Sequence, residues 1–266
     1  MIPRTSEPGD ADYDFLIVGS GFGGSVSALR LVEKGYRVGV LEMGRRVRAE
    51  EMPRTSWDLA RYLWAPALGL RGIQQFTLLR DVLVLHGAGV GGGSLVYGNV
   101  LYEPGDDWYR APGWPRGTNG QSGPNGIDWK TRLAPHYATA KRMLGAVRTP
   151  EPAAADLALR DVAIAMGRGD TFELTPVGVH FGEGPGVVSP DPFFGGEGPA
   201  RTGCTRCGCC MIGCRYGAKN TLDRNYLFLA EKRGAEVMPE TRAVDVAHAD
   251  GGGDGGYVVT CESTAS

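Results

Sequence analysis

The chain has 266 residues, 42% hydrophobic and 22% charged, and its 28 basic residues nearly balance 30 acidic ones for a formal charge of -2. This is an ordinary globular composition with room for one large or two smaller domains, and it excludes a disordered chain. It leaves no basic footprint for nucleic acid and no run near the ~18 apolar residues a membrane span needs, so no nucleic-acid partner and no transmembrane segment are expected. The opening MIPRTSEPGDAD lacks the apolar core of a signal peptide, and the chain as written reads as cytoplasmic.

Residues 13 to 44, YDFLIVGSGFGGSVSALRLVEKGYRVGVLEMG, read as strand, glycine turn, helix and second strand. Phe15 to Val18 suit a buried parallel strand, and Gly19, Gly21 and Gly24 then give the G-x-G-x-x-G spacing as a helix opens. The first glycine permits the tight turn, the second lets backbone approach a pyrophosphate, and the third lets helix pack on strand. Free N–H groups at the helix start face the anion. Val26, Leu29, Leu31 and Val32 carry the helix to a stop at Gly35, and the second strand, Val38 to Leu41, ends in Glu42. A carboxylate about 20 residues past the glycines accepts from a ribose hydroxyl and repels a 2′-phosphate. The unit therefore points to FAD or NAD rather than NADP, without choosing between them.

From Trp57 to Leu70 a helical cover with aromatics in the core is expected, and Asp81 to Leu85 read as another apolar strand. The next stretch, HGAGVGGGSLVYGNVLYEP, places Gly87, Gly89, Gly91, Gly92, Gly93 and Gly98 among apolar residues. So many glycines would ruin a helix or strand interior, and linkers are seldom apolar, so backbone passing close to a flat or anionic ligand is the better reading. Ser94 offers that ligand a hydroxyl and Asn99 an amide.

Residues 104 to 126 read as a Gly/Pro-rich loop, and Asp128 as the cap of a helix from Trp129 to Leu144 that presents Leu133, Tyr137, Ala140, Met143 and Leu144 on one face. A helix over Ala153 to Met166 and a strand near Phe172 to Phe181 follow. Thr221 to Arg233 is expected to be helical with Gly234 as its stop. Strands at 236–238, 242–248 and 256–262 close the chain, the last two joined by DGGGDGG. The fold class is therefore α/β, a Rossmann-like nucleotide-binding domain carrying an inserted, partial cap region. The divisions are 1–104 for the first part of the nucleotide domain, 105–200 for the insert, and 201–266 for a cysteine-rich loop and the return to the first domain. The closing GGYVVTCESTAS looks like an interrupted hairpin, which suggests a piece of a longer protein.

Five of six cysteines fall between 204 and 214, and Cys204, Cys207, Cys210 and Cys214 have the spacing C-x2-C-x2-C-x3-C. Thiolates at that spacing can wrap an iron-sulfur cluster, although Arg215 stands where ferredoxin runs have proline and a second cluster motif is absent. Reduced thiols packing a loop, zinc and a local disulfide stay open beside it. Cys261 reads as a buried strand residue.

Four segments, the FLIVGSGFGGSVSALRLVEKGYRVGVLEMG unit, GVGGGSLVYGNVLYEP, KNTLDRNYL and GGYVVTCE, resemble the glucose-methanol-choline flavin oxidoreductases, in particular their sterol-oxidising branch. The resemblance favours FAD over NAD. It implies that Gly19, Gly21, Phe22, Gly23 and Gly24 hold the pyrophosphate and Glu42 the ribose. It places Gly93, Ser94, Tyr97, Gly98, Asn99 and Val100 along the flavin and the backbone of Ala243 near the adenine. Tyr97 and Asn99 stand where relatives usually show Asn-Gly. The implied activity is oxidation of the 3-hydroxyl of a sterol such as cholesterol, or of another apolar alcohol, by hydride transfer to flavin, with O2 or another acceptor taking the electrons. The family's catalytic residues fall in its later half, beyond residue 266. The alternatives are a dehydrogenase for another alcohol with an iron-sulfur cluster, a small electron-transfer module built on the cysteines, or an inactive fragment.

Overall fold

The computed structural model describes residues 11–111, 128–249 and 255–265. Two compact units emerge, one formed by residues 1–98 with 180–266 and the other by 99–179. The expected insert, 105–200, overlaps the second unit, while residues 180–200 fold with the first.

The first unit is built on a parallel sheet of β1 (Phe15–Val18), β2 (Val38–Leu41) and β11 (Glu236–Met238), with β2 in the centre. All four β2 residues are buried, as a run of Val-Gly-Val-Leu between two neighbours should be. β1 forms where its apolar run lies, but it is an edge strand with Val18 62% exposed, so the buried position expected from sequence is not the one observed. Helix α1 (Phe22–Val32) crosses from β1 to β2 and buries Ser25, Ala28 and Leu29, the i, i+3, i+4 face of its sequence. It packs against α6 (Tyr226–Lys232), whose Leu227 and Ala230 are wholly buried. At full burial the two leucines of this seam, Leu29 and Leu227, contribute about 1.5–3 kcal/mol each.

The single helix expected over Thr221 to Arg233 is broken. A 3-10 turn spans Leu222–Arg224, Asn225 leaves helical geometry at φ -135, ψ -96, and its side chain then accepts from the Tyr226 N–H to start α6. Asparagine prefers that N-cap role to a helix interior. Gly234 ends the element at φ +97.

Between residues 57 and 87 the expected helical cover is reduced to one turn, α2 (Leu59–Tyr62). Hairpins of β3 (Trp64–Ala65) with β4 (Leu70–Arg71) and of β5 (Gln74–Leu78) with β6 (Leu83–Gly87) follow. Trp64 is buried, whereas Trp57 is 88% exposed. A second core of Val47, Met52, Ile73, Leu95 and Val96, flanked by Tyr62, lies under the second glycine-rich stretch. Strands β12 (Thr241–His248) and β13 (Tyr257–Ser263) form the expected hairpin, and Cys261 on β13 is half-buried rather than buried. The DGGGDGG loop falls largely outside the described residues.

In the second unit, Asp128 caps α4 (Trp129–Met143) by accepting from the N–H groups of Lys130 and Thr131. Helix α4 packs on α3 (Asp106–Arg110). Helix α5 (Ala154–Ala165) forms as expected. The strand expected over Phe172 to Phe181 shrinks to β8 (Pro176–Val177), paired with β7 (Val147–Arg148), and a 3-10 turn at Gly169–Thr171 precedes it. A cavity of about 430 Å³ in this unit is lined by Tyr102, Leu159, Phe172 and Glu173 among others.

Candidate functional site

The two glycine-rich stretches, far apart in sequence, touch in space. A Cβ on Gly92 would lie 2.8 Å from Gly21 Cα, and the rings of Phe22 and Tyr97 meet edge to face at 5.6 Å. Ser20, fully buried, is the tie between the two. Its Oγ donates to Glu42 Oε2 at 2.6 Å and accepts from the Gly91 N–H at 3.0 Å. The Glu42 carboxylate, itself 5% exposed, accepts four protein donors: Ser20 Oγ, Ser20 N at 3.1 Å, Gly44 N at 2.9 Å and Gly89 N at 3.3 Å. A carboxylate has about four acceptor positions, so the ribose contact expected for Glu42 shares that group with the structural clamp. The clamp was not legible in sequence, because Ser20, Gly44 and Gly89 carry no signal of a common partner.

The glycines divide into two kinds. At Gly24 a Cβ would stand 1.9 Å from the Gly19 carbonyl oxygen, and at Gly87 2.2 Å from that of Gly92, so the protein's own packing demands glycine there. At Gly21, Gly23, Gly93 and Gly98 a Cβ would meet no atom within 4 Å, and none of the four has the positive φ that requires glycine. These residues keep backbone bare toward space that the chain does not fill. Gly21 also caps α1, whose first turn has no side-chain cap and no acidic residue. The N-terminal N–H groups of an 11-residue helix thus remain available to an anion.

Beside the second stretch lies residues 219 to 223. Ser94 Oγ accepts from Leu222 N at 3.0 Å and donates to Gly91 O at 2.6 Å, so its hydroxyl shapes the loop. Lys219, 1% exposed, donates to the carbonyls of Leu95, Tyr97 and Cys210 and sits 4.7 Å from the Tyr97 ring centroid. Burial pulls its ammonium down to about 8, against the opposing pull of Cys210, Cys214 and Asp223. Burial, with Cys210 nearby, pushes the Tyr97 phenol up to about 12. Tyr97 Oη and both polar ends of the Asn220 carboxamide are buried without a hydrogen-bond partner among the described residues. Burying such groups unpaired costs about 1–3 kcal/mol apiece, a cost that a polar ligand removes. Sequence reading passed over Lys219 and Asn220, which nothing local distinguishes from surface residues.

Of the remaining expected site residues, Asn99 and Val100 belong to the second unit. Asn99 adopts φ +67, tolerable for asparagine, and its carbonyl accepts from Gly178 N, while Val100 bridges Val177. Ala243 lies on β12, two residues past Thr241, whose N–H donates to the Glu42 carbonyl at 2.9 Å. Bare glycine backbone, an uncapped helix start and orphaned buried polar groups together fit a dinucleotide.

The cysteines do not form a preformed ligand set. Cys204, Cys207, Cys209, Cys210 and Cys214 are free thiols, and no three His, Cys, Asp or Glu side chains gather as a metal-holding group among the described residues. Cys204 Sγ accepts from Arg206 N and Cys209 Sγ donates to the Cys207 carbonyl, so these thiols are engaged by local backbone. The left-handed residues Arg206, Gly208 and Gly213 turn the run. The histidines have structural partners or exposed positions. His86 bonds Thr77, His136 is exposed on α4, and His248 stacks on Tyr257. His180 packs against Phe193, where burial and then the Arg201 charge hold its imidazole below the usual value.

The fold and the paired loops define a Rossmann-type dinucleotide-binding protein, and the profile of the NAD(P)-binding Rossmann-like domain matches residues 17–54. A cholesterol oxidase of Mycobacterium tuberculosis (strain CDC 1551 / Oshkosh) is 58% identical over 234 residues, covering 86% of this chain and 39% of its own length. A cholesterol oxidase of Acinetobacter baumannii is 46% identical over 260 residues, 96% of this chain and 45% of that protein. A solved fungal aryl-alcohol oxidase aligns with a TM-score of 0.46 at 20% identity, over 95% of this chain and 43% of that one. The chain is thus similar over most of its length to bacterial cholesterol oxidases, in line with the resemblance its sequence carries, and spans less than half the length of the curated relatives it matches. No helix among the described residues is long and apolar enough to cross a membrane.

Proposed function

We propose that this chain forms the FAD-holding part of an alcohol oxidoreductase acting on a sterol or a comparable apolar secondary alcohol. The observation that carries the reading is the contact of two glycine stretches whose Gly21, Gly23, Gly93 and Gly98 face unfilled space. The cholesterol named for both relatives supports the sterol as substrate class. FAD, when bound, supplies the acceptor for the hydride that leaves the carbinol carbon.

The chain's own residues bind and orient. The start of α1 offers N–H groups to the pyrophosphate, with Gly19, Phe22 and Gly24 shaping the turn around it. Glu42 accepts from the ribose in exchange for one of its four protein donors, the longest being Gly89 N at 3.3 Å. In this reading the backbone of Ala243 serves the adenine, and Gly93 to Gly98 follow the flavin. These groups hold the cofactor, and none of them is given the role of base for the substrate hydroxyl. Molecular oxygen takes the electrons in the oxidase form.

Purification followed by an absorption spectrum, and then peroxide release from cholesterol by the FAD-loaded protein, tests the reading. Flavin bands with sterol-dependent peroxide support it. A protein that takes up no added FAD sinks it. Iron and acid-labile sulfide analysis of anaerobically prepared protein decides the alternative in which Cys204, Cys207, Cys210 and Cys214 carry electrons to another acceptor. Stoichiometric iron would replace oxygen as the acceptor proposed here.

A further inference from the structure

We infer that Lys219 is a positioning residue that locks the Tyr97–Gly98 peptide so that the Gly98 N–H points at the ligand, an inference that rests on the flavin reading above. Lys219 has three N–H donors and spends each on a carbonyl: Leu95 at 3.0 Å, Tyr97 at 2.8 Å and Cys210 at 2.9 Å. Two of these belong to the second glycine stretch and one to the cysteine loop. In a planar trans peptide the C=O and N–H point in opposite directions. Pinning the Tyr97 carbonyl to a buried ammonium therefore turns the Gly98 N–H the other way. No hydrogen bond from that N–H is found among the described residues, and a Cβ on Gly98 would meet nothing within 4 Å. The Val96 N–H, on the peptide whose carbonyl Lys219 also holds, is satisfied internally by the Gly93 carbonyl at 3.2 Å. Gly98 is thus the donor that the clamp leaves free.

The clamp is built rather than incidental. No carboxylate lies within ion-pair distance of Lys219 among the described residues, so a costly buried charge is retained for its carbonyl contacts and the Tyr97 ring. An apolar side chain of the same length would fill the volume without that cost. Three residues on, the Leu222 N–H holds Ser94 Oγ at 3.0 Å, so one segment fastens the loop at two points. The cysteine loop acquires a role from this arrangement: the Cys210 carbonyl is the third leg of the tripod that sets the flavin-side peptide.

The test compares the full chain with Lys219→Met and Lys219→Gln, the second retained in case the first does not fold. In the absence of flavin, hydrogen exchange across residues 91–100 accelerates by about tenfold in the variants while α1 and β2 keep their protection. Upon FAD addition, the amide resonance of Gly98 moves in the parent protein, and in the variants this shift is lost together with about tenfold in affinity. Unchanged local exchange in the variants overturns the clamp whatever FAD does. Normal affinity with an intact Gly98 shift in the variants overturns its role toward the ligand. Failure of the parent to bind FAD, with exchange still accelerated locally, refutes the flavin reading and with it the assignment of Gly98, leaving a clamp on the loop alone.

Discussion

Gly23→Ala and Gly24→Ala separate the glycines that serve the fold from those that serve a ligand. At Gly23 the added methyl meets no atom within 4 Å and the backbone is already helical. Alanine there gains the helix propensity that glycine lacks, about 0.5–1 kcal/mol, or roughly 1–4 °C in melting temperature. One residue later the methyl would sit 1.9 Å from the Gly19 carbonyl oxygen and 3.1 Å from Ile17 Cγ2. Main chain has to move, at a cost of about 1–3 kcal/mol or more. Differential scanning fluorimetry of the apo protein reads both effects, and quenching of flavin fluorescence reads affinity. Gly23→Ala is expected to be as stable as the parent or more so, yet to bind FAD at least about tenfold more weakly, a loss of ~1.4 kcal/mol. Gly24→Ala should melt several degrees lower. Parent-like FAD affinity in a folded Gly23→Ala protein would refute the argument that its bare backbone is kept for a ligand.

Two further outcomes follow from single contacts. Ser20→Ala leaves the Gly91 N–H without its acceptor and removes a short bond to the Glu42 carboxylate, so urea denaturation should report a loss of about 2–4 kcal/mol; less than ~0.5 kcal/mol would mean that the two loops are not joined there. The Asp191 carboxylate accepts from the N–H groups of Phe193, Phe194, Gly196 and Gly198, and although burial pushes its carboxyl up, these donors hold it below the usual value. A folded-state value below the unfolded ~3.9 adds stability above that pH, lost as pH falls through the folded value. Asp191→Asn should therefore be less stable than the parent at pH 7, and the two stability curves should converge in strong acid. Parallel curves down to the acid transition would contradict this.

The first βαβ unit was readable because its signals are local. The glycine spacing, the i, i+3, i+4 face of α1 and the Val-Gly-Val-Leu run each specify their element from within a few residues. Asp128 and α4 were readable for the same reason. What failed depended on partners elsewhere. Val18 is apolar but lies on an edge strand, which a strand's own sequence cannot declare. Residues 57 to 70 are rich in apolar residues without a helical period, and Pro66 and the left-handed Gly69 divide them into a hairpin. Asn225 did carry a local signal, since an asparagine ahead of Tyr-Leu-Phe-Leu is a helix start as readily as a helix interior. The site divided in the same way. Its glycines were found by spacing, whereas Ser20 and Lys219 act on residues up to 124 positions away and the Asn220 side chain stands unpaired among the described residues, which only the fold reveals.

Paired titrations of the chain with FAD and with FMN bear most directly on the cradle formed by the two glycine stretches. A site that grips pyrophosphate and adenosine as well as the ring should saturate with one FAD per chain and hold FMN about a hundredfold more weakly. Equal affinity for the two flavins, or no saturable binding of FAD, would contradict it.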